Sequence, residues 1–71
     1  MDGGVISIRI NGEERQVPAG LNIRKLVGLL SLDPARVAVE LDRRLVRRAE
    51  WESTPVEDGA SLEIVTFVGG G

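Results

Sequence analysis

The 71-residue chain reads as an α+β domain in which one main helix crosses a mixed sheet of four to five strands. Three observations predict it. Apolar residues alternate from Val5 to Asn11, the apolar period lengthens to that of a helix after Asn22, and alternation returns in short runs from Val37 onward. No linker, repeat or shift in composition divides the chain, so residues 1–68 are expected to form one domain and residues 69–71 a flexible glycine tail.

The elements follow in order. Ile6, Ile8 and Ile10 alternate with Ser7 and Arg9, the pattern of a half-buried strand. Asn11-Gly12 suits the two positive-φ positions of a type I′ turn, and Glu13 to Val17 returns as the second strand, closed by Pro18-Ala19-Gly20. Ile23, Leu26, Val27 and Leu30 then stand at i, i+3, i+4 and i+7, one stripe of an amphipathic helix. Asn22 is the candidate N-cap, Arg24 and Lys25 face solvent, and Asp33-Pro34 is expected to end the segment. Gly28 within it weakens a helix by about 1 kcal/mol relative to alanine, so it is expected where the helix packs closely on the sheet.

Val37 to Leu41 is the third strand, Asp42-Arg43-Arg44 a turn, and Leu45-Val46 the start of a short fourth strand. Ala49 to Thr54, with the lone Trp51, has room for one helical turn. Glu57-Asp58-Gly59 turns the chain into the last strand, Leu62 to Val68. The order β-β-α-β-β-β buries every apolar stripe if the first and last strands run parallel at the sheet centre, which is a β-grasp arrangement.

Composition narrows function by exclusion. The chain has no cysteine and no histidine, which removes disulfides, Cys/His metal sites and catalysis by either residue. The acidic pairs Glu13-Glu14 and Glu57-Asp58 fall in or beside turns and suggest neither an acid–base pair nor a metal site, so the chain is not expected to be an enzyme. A net charge of −2 argues against a nucleic-acid partner. Arg43, Arg44, Arg47 and Arg48 read first as a solvated rim and second as a contact for an acidic partner. No apolar run is long enough to span a bilayer, no signal-peptide pattern opens the chain, and a cytoplasmic location is expected.

The remaining candidate is the end. Gly69, Gly70 and Gly71 follow the last apolar run, and a thread without side chains offers its carboxylate as the working group. Three extended residues reach about 10 Å, enough to deliver that carboxylate into a buried partner site. Ordering glycine costs more entropy than ordering any other residue, so the folded body must supply a compensating contact. Val65 and Phe67 are the first candidates, with Val68 beside them. For Phe67, core packing and an exposed interface role remain equally open. Trp51 reads as a lid on the core whose indole N–H needs an acceptor if buried.

The chain resembles the ubiquitin-like sulfur carriers, and among them the ThiS type of thiamine biosynthesis. The matching residues are Ile10-Asn11-Gly12-Glu13, Leu26 with Leu29-Leu30, Val37-Ala38-Val39-Glu40-Leu41-Asp42, Val46-Arg47-Arg48, Trp51, Asp58-Gly59, and Glu63 through Gly71. Asp42 departs from a frequent asparagine, and the tail has one glycine beyond the minimal pair. The resemblance implies that a ThiF-like adenylating enzyme uses ATP and magnesium to activate the Gly71 carboxylate. A sulfur-donor protein then converts it to a thiocarboxylate, and a ThiG-like thiazole synthase consumes the sulfur. Gly71 would carry the sulfur, Gly69 and Gly70 would thread into the partner, and the carrier, expected to be a monomer, would bind no cofactor itself. Two alternatives stand beside this: a carrier serving molybdopterin synthase, and a non-conjugating ubiquitin-like binding module with a passive tail.

Overall fold

The computed structural model describes residues 4–68. Its strands are β1 (Val5–Ile10), β2 (Glu13–Pro18), β3 (Val37–Leu41), β4 (Arg44–Val46) and β5 (Ser61–Thr66), with one α-helix, α1 (Ile23–Leu29). The five form one sheet in the order β2-β1-β5-β3-β4. β1 and β5 run parallel, pairing Arg9 with Ser61 and Ile10 with Leu62, while the other neighbours are antiparallel. Parallel neighbours need a long crossover, which α1 and the β3–β4 hairpin supply. No helix among the described residues is long and apolar enough to cross a membrane.

The first hairpin turns at Asn11 and Gly12, whose φ angles of 52° and 85° are those of a type I′ turn. The second turns at Asp42 and Arg43 with φ of 50° and 72°, the same geometry without glycine. Sequence reading placed a turn there but not its type, because arginine gives no left-handed signal.

α1 begins where expected. The Asn22 side chain caps it by accepting from the Lys25 N–H at 2.8 Å, and its amide donates to the Glu52 carbonyl at 3.2 Å. The helix ends at Leu29, earlier than the Asp33-Pro34 boundary. Ser31 adopts φ of 60°, the Ser31 N–H bonds the Gly28 carbonyl at 3.0 Å, and the Leu32 N–H bonds the Val27 carbonyl at 3.2 Å. These two bonds form a Schellman cap with serine in place of the usual glycine. Leu30 therefore lies past the helix but stays half-buried against the core. Pro34 instead opens a 3-10 turn, Pro34–Arg36, capped by the Asp33 side chain. Gly28 does not pack on the sheet: it is exposed, and a Cβ there would meet nothing within 4 Å.

The core lies between α1 and one sheet face. Ile23, Leu26 and Val27 meet Ile8, Ile10, Val17, Val37, Val39, Val46, Leu62 and Ile64. Trp51 closes one end at 2 % exposure, and its Nε1–H donates to the Val46 carbonyl at 3.0 Å. The indole follows a 3-10 turn, Arg48–Glu50, which starts one residue before the Ala49 to Thr54 stretch where a helical turn was expected. Residues after it return to the helix entrance, where Val56 N–H bonds the Leu21 carbonyl at 2.9 Å and Ile23 N–H bonds that of Thr54 at 3.0 Å.

Candidate functional site

β5 carries the candidate site because it is the central strand nearest the glycine tail. It spans Ser61–Thr66 rather than Leu62 to Val68, and one further bond, Phe67 N–H to the Arg36 carbonyl at 2.7 Å, fastens the chain beyond it. Strand alternation sorts its side chains. Leu62 and Ile64 are buried beneath the helix, whereas Thr66, on the same face, lies past the core and is exposed. Val65 faces the opposite side at 53 % exposure, Phe67 is 56 % exposed, and Val68 85 %. Phe67 is thus not a core residue, which resolves its two readings in favour of an available surface. Gly69, Gly70 and Gly71 lie outside the described residues.

Leu45, on β4, joins this outer face and is 64 % exposed. It pairs with Glu40, which in turn stands opposite Glu63 of β5, while Val65 stands opposite Ala38. The sequence signal for Leu45 was its alternation with Val46: once Val46 is buried, Leu45 must point outward. Arg43, Arg44, Arg47 and Arg48 are all exposed around it. Among the described residues the one ion pair in range joins Arg36 to Asp33 at 3.7 Å, and none involves these four arginines. The face therefore carries exposed apolar side chains at Leu45 and Val65, the carboxylates of Glu40 and Glu63 between their strands, and arginines at the β4 margin.

One member of each acidic pair has a structural task. Glu14 accepts from the Ser7 hydroxyl at 2.6 Å, and Asp58 accepts from the Ser7 N–H at 2.8 Å, joining the first hairpin to the turn that feeds β5.

Asn11 does more than turn the chain. Its N–H donates to the Leu62 carbonyl at 2.9 Å. Its side-chain amide donates to the Ile64 carbonyl at 3.1 Å and accepts from the Ile64 N–H at 2.8 Å. The side chain thereby continues the β1–β5 ladder after β1 has left it. These partners lie 53 residues apart in the chain, so no local pattern could disclose them.

The arrangement holds no assembled catalytic group among the described residues. It holds a central strand fixed on both sides, an exposed apolar surface at its end, and a direct continuation into the glycines. Comparison with known proteins accords with that geometry. The model of the ThiS family matches residues 8–71. The crystal structure of the thiamine biosynthesis protein (ThiS) from Geobacter metallireducens superposes with a TM-score of 0.80 at 30 % identity, covering 93 % of this chain and 100 % of that one. The ycf40 protein of Porphyra purpurea is 36 % identical over 66 residues, 93 % of each chain. A thiazole synthase of Paramagnetospirillum magneticum is 44 % identical over 62 residues, 87 % of this chain but 19 % of that protein. The chain thus spans about a fifth of the thiazole synthase it matches.

Proposed function

The chain belongs to the ThiS family, and from that premise we propose that it is a sulfur carrier whose Gly71 carboxylate is the acceptor. A carboxylate resists nucleophiles because its charge is delocalised over two oxygens. An ATP-dependent, ThiF-like enzyme overcomes this: a Gly71 oxygen attacks the α-phosphorus of ATP, pyrophosphate leaves, and an acyl-adenylate forms. Magnesium neutralises the phosphates in the partner's site. A persulfide on the sulfur-donor protein then attacks the acyl carbon and displaces AMP. A second thiol on the protein side cleaves the resulting acyl persulfide, leaving a thiocarboxylate on Gly71 and a disulfide on the donor. In this scheme the carrier contributes the carboxylate and its delivery, and the chemistry of activation belongs to the partners.

The observation that carries the reading is the family match running through Gly71, joined to the exposed Val65, Phe67 and Val68 at the root of the tail. Burying those three side chains offsets the entropy of ordering Gly69 and Gly70: fully burying a residue of this size contributes about 1.5–3 kcal/mol, against roughly 1–2 kcal/mol per ordered backbone residue. The shared segment in thiazole synthases supports thiazole formation, and so a ThiG-like synthase, as the destination of the sulfur. Incubation with the adenylating enzyme, ATP and a sulfur source should produce an oxygen-to-sulfur exchange confined to the C-terminal peptide in intact-mass analysis. An unchanged mass in the presence of an active enzyme would refute the carrier reading.

A further inference from the structure

The hydrogen-bond parity of β5 leaves one ladder position unfinished. Asp42 N–H bonds the Ser61 carbonyl at 2.7 Å and Phe67 N–H bonds the Arg36 carbonyl at 2.7 Å, so odd-numbered residues of this stretch direct their main-chain groups toward β3. Even-numbered residues direct theirs toward β1. On that side Leu62 is met by Asn11 N–H, and Ile64 has both groups met by the Asn11 side chain. Thr66 is the next even residue. The β1–β2 hairpin has already turned back, and among the described residues nothing pairs with the Thr66 N–H or carbonyl.

Beside this open position lies a depression of about 220 Å³. Ile10, Ile64, Leu30 and Leu32 give it an apolar lining, and Arg15 stands at its border. Arg15 is exposed and has no carboxylate in ion-pair range among the described residues.

We propose that the β1-facing edge of β5 at Thr66 is a strand-addition site for an extended segment of the adenylating enzyme that receives the tail. The segment pairs with the Thr66 N–H and carbonyl, places one apolar side chain in the depression, and sets an acidic residue against Arg15. This rests on the carrier reading and specifies how the partner holds the carrier. Main-chain pairing is the chemistry that unfinished ladder groups select. An extended partner segment is favoured because Thr66 and Val68 lead directly into the tail, so pairing there also fixes the direction in which the glycines leave the domain. Asn11 has a definite part: it completes the ladder through Ile64 and leaves the next position free.

Amide hydrogen exchange on the ¹⁵N-labelled carrier, alone and bound to the adenylating enzyme, tests this without any substitution. The Thr66 amide should exchange rapidly in the free carrier and at least about tenfold more slowly in the complex. Phe67 should be protected in both. Thr66→Pro deletes only a donor that the fold does not use, and proline is tolerated at such an edge. It should weaken binding about tenfold, whereas Thr66→Val, which keeps the N–H, should bind as the parent does. An unprotected Thr66 amide in the complex overturns the proposal, as does a folded Thr66→Pro carrier that binds normally. Protection in the carrier alone, accompanied by a dimer in sedimentation, assigns the edge to a second copy and also overturns it. If pyrophosphate is still released in those cases, the carrier reading survives; absence of both binding and pyrophosphate release defeats both.

Discussion

The two hairpin turns flank β5 from opposite sides and start from the same backbone. At each, the first residue has φ near 50° and donates its N–H to a β5 carbonyl, Asn11 to Leu62 and Asp42 to Ser61. Each also lends Oδ1 to a β5 amide, at 2.8 Å from Ile64 N–H and 3.1 Å from Ser61 N–H. They differ in what else the side chain does. Asn11 has an amide donor and satisfies the Ile64 carbonyl as well, whereas Asp42 can only accept. They differ again at the second turn position, where Gly12 adopts positive φ freely and Arg43 carries a Cβ into it. The turn beside the departing end of β5 is thus the better satisfied and the less strained. The lesson is that one turn geometry anchors the beginning of a strand in one place and steadies its later part in another, through a single donor.

Breaking that donor gives the largest expected effect. Asn11→Asp keeps the turn and the acceptor but sets a carboxylate oxygen against the Ile64 carbonyl, and should cost about 1–3 kcal/mol in denaturant unfolding. Asp42→Ala loses one acceptor for the Ser61 N–H and should cost about 1 kcal/mol in the same assay. If the two substitutions cost the same, the extra bond made by Asn11 has no energetic weight and the contrast fails. Arg43→Gly sharpens the other half of the comparison. Relieving the left-handed arginine should stabilise the domain by about 0.5–1 kcal/mol, read as a rise of a few degrees in Tm. Gly12→Ala should move in the opposite direction by a similar amount, since φ of 85° admits no Cβ without strain.

Much of this was legible in the sequence where the signal is local. The alternation around Ile8, the Asn11-Gly12 turn, the Asn22 cap and the Val37–Leu41 strand each follow from neighbouring residues, and their order implied the parallel β1–β5 pair. The acceptor required by Trp51 could be anticipated, though not that Val46 supplies it. The helix end escaped because Ser31 takes a left-handed angle that the sequence does not announce. Gly28 was misread because helix propensity reports the cost of a glycine and not its surroundings. At the candidate site, alternation along β5 was enough to set Val65 and Phe67 apart from Leu62 and Ile64. Whether Phe67 stays uncovered depends on what else reaches that face, which only the tertiary structure records. The second task of Asn11 and the open groups of Thr66 depend on register between distant strands, so composition and periodicity carry no trace of them.

The central claim is that Gly71 is the sulfur-bearing residue and that the folded domain serves to deliver it. Removal of Gly70 and Gly71 together, which leaves a single glycine and so less than the minimal pair, tests this most directly, with mass analysis of the C-terminal peptide after incubation with the adenylating enzyme, ATP and a sulfur source. The truncated carrier should retain the amide spectrum of the folded domain and acquire no sulfur, while the full chain exchanges one oxygen for sulfur at Gly71. Sulfur on the truncated chain at the level of the full one would contradict the account.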